Sequence, residues 1–122
     1  MLKRALQKMP EATPDTDPVF ERAAELFRVL SAPMRLRILN SLRPGEKNVT
    51  ELLSEISTTQ PNMSQHLNTL YKSGILGKRR DGVQIYYRIV DHRVPRLCQA
   101  VCTHVADEGE SLSASEPSPA AP

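Results

Sequence analysis

The 122-residue sequence predicts one mostly helical domain that carries a single small β-hairpin. Apolar residues recur at three- and four-residue steps in four segments before the hairpin and in one segment after it, which is the period of helices with one buried face. The dipeptide Asp81-Gly82 interrupts a run of alternating apolar residues, and it is among the strongest short-range hairpin signals. The predicted order of elements is therefore α-α-α-α-β-β-α.

The first two predicted helices are short and tightly joined. The first begins at Pro18, with Asp17 as the N-cap residue, and ends at Leu30. Its apolar face consists of Phe20, Ala23, Ala24, Phe27 and Leu30. A second helix follows the break at residues 31–33 and stops at residues 43–45, which contain proline and glycine. Its apolar residues are Leu36, Ile38, Leu39 and Leu42.

Two further helices, separated by the polar turn at residues 57–59, form a helix-turn-helix candidate. Either Asn48 or Thr50 is expected to cap the third helix. The fourth helix begins near Thr59 and ends at Ser73-Gly74, where glycine follows the last helical residue. Its inward face is predicted to hold Met63, Leu67, Leu70 and Tyr71. Its outward side carries short polar side chains, namely Gln60, Asn62, Ser64, Gln65 and Asn68, with His66 unassigned.

A hairpin and a last helix complete the predicted domain, which is a winged helix-turn-helix. The strands are expected at residues 75–80 and 83–90. Their predicted core-facing residues are Val83, Ile85, Tyr87 and Ile89. The first strand ends in a basic cluster of Lys78, Arg79 and Arg80, and Gln84 follows the turn. The last helix is predicted from about His92 to Ala106.

Three regions of the chain differ in composition. Residues 18–106 are predicted to fold, whereas residues 1–17 form a flexible N-terminal segment and residues 107–122 a disordered acidic tail rich in Ser, Pro and Ala, because neither end can bury enough apolar surface. The folded region has 13 Lys and Arg against 7 Asp and Glu, a net charge of +6. The whole chain carries only +2. A basic domain of this kind suggests a polyanionic partner.

Several classes of protein are disfavoured by the sequence. No segment approaches the ~20 consecutive apolar residues of a membrane span, and no signal-peptide core opens the chain. We therefore expect a cytoplasmic, nucleoid-associated protein without a membrane partner. Two cysteines, Cys98 and Cys102, are too few for a disulfide framework and should be reduced thiols. The chain has no nucleophile elbow, phosphate-binding glycine loop or complete metal-hydrolase motif, so we do not expect an enzyme.

The polar side of the fourth helix and the basic hairpin together predict binding to double-stranded DNA. A helix fits the major groove, and an Asn or Gln side chain can bond two adenine atoms at once. The basic cluster follows that helix directly and can reach the phosphate backbone or the minor groove. Each feature alone also fits a solvated helix face or a charged hairpin tip, but their order favours DNA. A winged-helix module that binds another protein is the alternative.

Residues 27–89 resemble the arsenic-repressor (ArsR/SmtB) family of bacterial winged-helix regulators. The resemblance is carried by residues 30–39, residues 60–67, residues 74–76 and Arg88. It implies a homodimer formed through the first and last helices, repression at an imperfect inverted repeat, and release by an effector. The family's recognition-helix positions correspond to Gln60, Asn62, Ser64 and Gln65, and its wing positions to Arg79, Arg80 and Gln84. Arg35 stands at a family-typical arginine that either pairs within the fold or touches phosphate.

Two metal-binding sites known in this family are matched only in part. In the third-helix site, Asn48 and Thr50 stand where thiolate sensors have cysteines, and neither side chain supplies sulfur to a soft ion. The zinc site on the last helix corresponds to Asp91, Arg93, His104 and Asp107. Arg93 is always cationic and cannot be a ligand. A zinc-responsive repressor that uses the other three residues is therefore kept as an alternative.

Cys98 and Cys102 are four residues apart, so they share one face of the last helix. They lie on or beside the predicted apolar stripe of Val94, Leu97, Val101 and Val105. They either pack a dimer seam as small apolar side chains, or form a thiol switch or soft-metal site with up to four sulfurs across a two-fold axis. Arsenite, which favours three thiolates, would also need the partner's cysteines or His104. No obligatory cofactor is expected, and the regulatory chemistry is a metal ion, cysteine oxidation or reactive sulfur.

Overall fold

The computed structural model describes residues 18–115, and the side chains of residues 18–109. The elements of this part of the chain are α1 (Val19–Leu30), α2 (Pro33–Leu42), β1 (Lys47–Asn48), α3 (Val49–Glu55), α4 (Gln60–Lys72), β2 (Leu76–Asp81), β3 (Gln84–Ile89) and α5 (Arg93–Ser115). The predicted winged helix-turn-helix is confirmed, and β1 is an addition that the sequence pattern did not indicate. The predicted flexible segment 1–17 lies outside the described residues.

Side-chain caps define where the two helices of the helix-turn-helix begin. The Asn48 side-chain oxygen accepts a hydrogen bond from the backbone N–H of Glu51 (2.8 Å). The Glu51 carboxylate in turn accepts one from the backbone N–H of Asn48 (2.9 Å). This reciprocal capping box makes Asn48, rather than Thr50, the N-cap of α3. At the start of α4, Thr59 Oγ1 accepts a hydrogen bond from the Asn62 amide (3.2 Å). The fourth helix therefore begins where the sequence predicts.

The hairpin of β2 and β3, which we call the wing, follows α4 and packs beside it. The two strands pair up to Asp81 and Gln84, so Gly82 and Val83 form the turn. Gly82 has a φ of 68°, which glycine tolerates at the first central position of a type II′ turn. The turn thus lies one residue later than predicted, and the core position predicted for Val83 is wrong, since its side chain is 95% exposed. The third strand, β1, pairs with β3 and gives the sheet order β1-β3-β2.

The core lies between α2, α3, α4, the start of β2 and the first turn of α5. Its fully buried side chains are Ile38, Leu39, Leu52, Met63, Leu67, Leu70, Ile75, Leu76 and Val94. Three of the four predicted inward residues of α4 are thereby confirmed. The fourth, Tyr71, is 40% exposed, and Lys78 Nζ lies 4.3 Å from its ring centroid. Tyr71 is therefore covered by the wing rather than by the core.

Several apolar side chains of α1 and α5 remain outside the core. Those on the surface of the protomer are Phe20, Phe27, Val101 and Val105, each at least half exposed. We call these four residues the apolar terminal face. The predicted apolar face of the first helix is therefore confirmed only at Leu30, which is buried in the core, whereas Phe20 and Phe27 do not pack inside their own protomer.

The last helix is longer than the sequence analysis predicts. α5 continues to Ser115 instead of ending near Ala106, so the predicted disordered tail is corrected for residues 107–115. Residues 116–122 lie outside the described part. The sequence contains no proline between Pro95 and Pro117, and a single helix-interior glycine such as Gly109 costs only about 1 kcal/mol. Within residues 18–115, no helix combines the length and the apolar character needed to cross a membrane.

Candidate nucleic-acid interface

The exposed side of α4 carries side chains that can both donate and accept hydrogen bonds. Gln60, Ser64, Gln65 and Asn68 are exposed, and no hydrogen bond joins their side chains to any other group of the described residues. The opposite side of the helix is anchored by fully buried apolar residues. These four side chains are therefore available to base edges.

Asn62 differs from the other predicted contacts on α4. Its side chain is half-buried, and its Nδ2 donates a hydrogen bond to Thr58 Oγ1 at 2.8 Å. Its backbone amide is engaged by Thr59. Asn62 therefore stabilises the turn between α3 and α4, and the structure does not present it as a free side chain for DNA.

Within the basic cluster of the wing, Arg79 is already paired. Its Nε donates to Glu46 Oε2 at 2.9 Å, its Nη2 bonds the other carboxylate oxygen, and its guanidinium lies 4.7 Å from the Tyr86 ring centroid. The hydrogen bond from Arg79 lowers the pKa of Glu46. Arg79 thus braces the wing against the loop before β1. Local patterns in the sequence do not identify Glu46 as a partner, because 33 residues separate it from Arg79.

The other two basic residues of the wing are in different situations. Lys78 is exposed and its ammonium stacks on the Tyr71 ring, which leaves its charge in place. Arg80 is exposed and has no ion-pair partner among residues 18–109. Arg80 is therefore the arginine of the cluster that is available to a phosphate.

A groove of about 310 Å³ lies between α3, the start of α4 and the wing. It is lined on the helix side by Gln60 and Ser64, and on the wing side by Val83 and Gln84. The structure therefore brings Gln84 together with two of the predicted contacts on α4. Gln65 and Asn68 lie further along the helix and do not line this groove.

Arg35 pairs within the fold, which is the first of the two roles that the sequence left open for it. Its Nε donates to His66 Nδ1 at 3.1 Å, and its Nη1 donates to the carbonyl oxygen of Val29 at 2.9 Å. His66 is half-buried on the flank of α4. Burial, with a smaller contribution from the charge of Arg35, lowers the pKa of His66.

The three predicted zinc ligands are not brought together within one protomer. Asp91 forms a two-point ion pair with Arg93 (2.9 and 2.7 Å), and this pairing lowers the pKa of the carboxyl group. His104 lies about 16 Å from Arg93 along the axis of α5, and its Nε2 pairs with Glu108 (3.1 Å). Across the described residues, no group of three His, Cys, Asp or Glu side chains is placed to hold a metal ion. His104 and Asp107 line one open pocket on α5, but Asp91 does not line it.

Cys98 and Cys102 both line a groove of about 340 Å³ between α2 and α5. Cys98 is half-buried against the core, whereas Cys102 is exposed, and both are free thiols. Burial, and then the proximity of Cys102, raise the pKa of the Cys98 thiol. The groove also contains Leu36 and Leu39 on its apolar side, with Arg43 nearby. The two thiols are thus accessible from a single cavity.

Comparison with known proteins agrees with this arrangement. The family model described as bacterial regulatory protein, arsR family, matches residues 32–78. The probable mercury resistance operon repressor of Streptomyces lividans is 33% identical over 119 residues, which cover 87% of this chain and 90% of that protein.

Two solved structures extend the comparison to the fold. The antimony-specific transcriptional repressor AntR superposes with a TM-score of 0.73 and 31% identity, covering 90% of this chain and 97% of that chain. The homodimeric winged helix-turn-helix DNA-binding domain Mb0332 from Mycobacterium bovis has a TM-score of 0.65 and 30% identity. The match covers 82% of this chain and 92% of that chain.

The fold, the exposed polar side of α4 and the basic wing together define a winged helix-turn-helix DNA-binding regulator. The similarity over most of its length identifies the family: the chain belongs to the ArsR/SmtB family of transcriptional repressors, whose members are regulators rather than enzymes.

Proposed function

We propose that the protein is a homodimeric, sequence-specific repressor that binds an inverted repeat overlapping a promoter on chromosomal DNA in the cytoplasm. The observation that carries this proposal is the row of unpaired polar side chains on α4 beside the exposed Arg80 of the wing. Two copies of α4 related by a two-fold axis match half-sites about one helical turn, ~34–36 Å, apart. Base contacts from α4 supply specificity, and the wing supplies phosphate contacts.

The apolar terminal face supports the dimer. Two phenylalanines on α1 and two valines on α5 are at least half exposed in the protomer, and grouped apolar residues of this size on a surface favour a protein interface. The related Mb0332 domain is a homodimer. We infer that α1 and α5 pair with the same helices of a second copy.

Selection of bound sequences from a random duplex library tests the proposal. The expected result is an enriched inverted repeat, bound with salt-dependent affinity and at least about a thousandfold more tightly than a scrambled duplex of equal length. Equal affinity for the two duplexes would exclude a sequence-specific repressor. It would favour the alternative, a winged-helix module that binds another protein.

Release from the operator is assigned to Cys98 and Cys102. Both thiols open into one groove, and two related proteins carry the names probable mercury resistance operon repressor and antimony-specific transcriptional repressor, after elements that prefer sulfur ligands. The raised pKa of Cys98 keeps its thiol protonated at neutral pH, which disfavours rapid oxidation because the thiolate is the reactive form. A soft metal ion must also displace the thiol proton on binding, so a metal ion, an oxidant and reactive sulfur are all kept as candidate signals.

The double variant Cys98→Ser with Cys102→Ser tests this assignment. It is expected to bind the selected duplex as the wild type does but to remain bound when a soft metal ion is added. A tenfold release of the wild type needs only about 1.4 kcal/mol of differential binding. If the double variant is still released, the cysteines are not the sensor. A variant of Asp91, His104 and Asp107 then tests a zinc site formed between protomers.

A further inference from the structure

One guanidinium group links the end of α1 to the middle of α4. Arg35 Nε donates to His66 Nδ1 (3.1 Å), and Arg35 Nη1 donates to the Val29 carbonyl oxygen (2.9 Å). Val29 belongs to the last turn of α1, where backbone carbonyls have no partner within the helix. The helix that carries half of the apolar terminal face is thereby joined to the helix that carries the base-reading side chains.

This link requires a neutral histidine. His66 accepts the hydrogen bond through Nδ1 only if that nitrogen has no proton, so the proton of the neutral ring lies on Nε2. Protonation places an N–H group on both ring nitrogens, and the Nδ1 proton then faces the Arg35 donor. Two cations also meet at hydrogen-bond distance. Burial and the Arg35 charge, which lower the pKa of His66 below its ordinary 6.5, keep the ring neutral at neutral pH.

Charged groups on the neighbouring elements do not offset the preference of His66 for its neutral form. The elements packed against α4 are α2, α3 and β2. Their charged residues are Arg35, Arg37, Glu51, Glu55, Lys78, Arg79, Arg80 and Asp81, and α4 itself adds Lys72. Within the described part of the chain, Arg35 is the charged group that acts on the titration of His66. No carboxylate described here stabilises the imidazolium form.

We propose that Arg35 and His66 are positioning residues for operator recognition, whose hydrogen bond fixes the rotation of α4 about its own axis. This proposal rests on the DNA-binding function proposed above. Gln65 and Asn68 lie on either side of His66 and Leu67 in sequence. Both are exposed, whereas Leu67 is fully buried. A rotation of about 10° moves a side-chain tip, about 5–6 Å from the helix axis, by about 1 Å. Hydrogen bonds to bases tolerate only about 0.5 Å of variation in length.

Protonation of His66 therefore has two opposite effects on DNA binding. The added positive charge near the duplex favours every DNA sequence, because it neutralises phosphate charge. Loss of the hydrogen bond lowers discrimination between sequences. The informative quantity is the ratio of Kd for a scrambled duplex to Kd for the duplex obtained by selection, measured with the dimeric full-length chain at about pH 7.5 and at about pH 5.5.

The wild-type ratio is expected to fall about tenfold between the two pH values, equivalent to about 1.4 kcal/mol. The variant His66→Asn keeps an acceptor oxygen close to the position of Nδ1 and does not titrate, so its ratio stays high at both pH values. The variant His66→Leu has no acceptor, so its ratio is low at both. The matched control His92→Gln removes an exposed imidazole that precedes α5 and should follow the wild-type profile.

A second readout needs no DNA. The ¹⁵N chemical shifts of the His66 ring at about pH 7.5 should report an unprotonated Nδ1 in the wild type, and circular dichroism should show that each variant is folded. The proposal is overturned by a wild-type ratio that does not change across the pH range in which the ¹⁵N shifts show that the His66 ring becomes protonated, by a folded His66→Leu variant with the wild-type ratio, or by a protonated Nδ1 at about pH 7.5. Failure of the proposed function is distinct from these outcomes, since the selected and scrambled duplexes would then bind equally at both pH values.

Discussion

Replacement of Arg80 by glutamine separates the phosphate contact of the wing from its structural ion pair. Arg80 is exposed and unpaired among the described residues, whereas its neighbour Arg79 is held by Glu46. Each lost phosphate contact reduces the slope of log affinity against log salt by about 0.9, so the two copies in a dimer account for about 1.8. When salt rises from 50 to 200 mM, the affinity of the wild type should therefore fall about twelvefold more than the affinity of Arg80→Gln.

Fluorescence anisotropy at several salt concentrations, with the selected and the scrambled duplex, measures the slope. Arg80→Gln should reduce it equally for both duplexes, because phosphate contacts are independent of sequence. The matched control combines Glu46→Gln with Arg79→Gln, which removes one charge of each sign and should leave the slope near the wild-type value. A wild-type slope in Arg80→Gln, or an equal loss in the control, would refute the assignment of phosphate binding to Arg80.

Three further predictions concern assembly, stability and pH. Val101→Asp should yield folded monomers in sedimentation, because this valine is 54% exposed in the protomer, whereas Gln99→Asp should remain dimeric. Leu67→Ala should lower the free energy of unfolding by about 2–5 kcal/mol in denaturant titrations, because the side chain is fully buried in the core. The unfolded chain takes up a proton at residue 66 before the folded chain does, so stability should fall as pH drops below 6.5, and His66→Asn should remove that part of the loss.

Local patterns in the sequence predict the helix-turn-helix accurately because they encode its physical causes. Buried residues repeat on one side of α4, and the cap at Thr59 marks its start. The predicted position of the wing turn is wrong by one residue, because this turn requires glycine at the first of its two central positions and not at the second. The extension of α5 is not predicted because an acidic, Ser-rich composition favours disorder, whereas no proline interrupts the helix before Pro117.

Long-range contacts account for what the sequence did not reveal at the site. The pairing of Arg79 with Glu46 and of Arg35 with His66 joins residues more than 30 positions apart, and no periodic pattern identifies such partners. A helical period likewise shows that the apolar face of α1 exists without showing what covers it. The three basic residues of the wing therefore differ in their partners, and Arg80 is the arginine that we propose for a phosphate contact.

The central claim, that α4 reads bases, is tested most directly by repeating the duplex selection with Gln65→Ala. This exposed side chain bonds to no other group of the described residues, and a two-point contact to one base provides about 1–3 kcal/mol of discrimination. We expect that sequence preference is lost at one position in each half-site, symmetrically, while Arg80→Gln retains the full preference with weaker binding. An unchanged preference at every position in a folded Gln65→Ala variant would contradict the central claim.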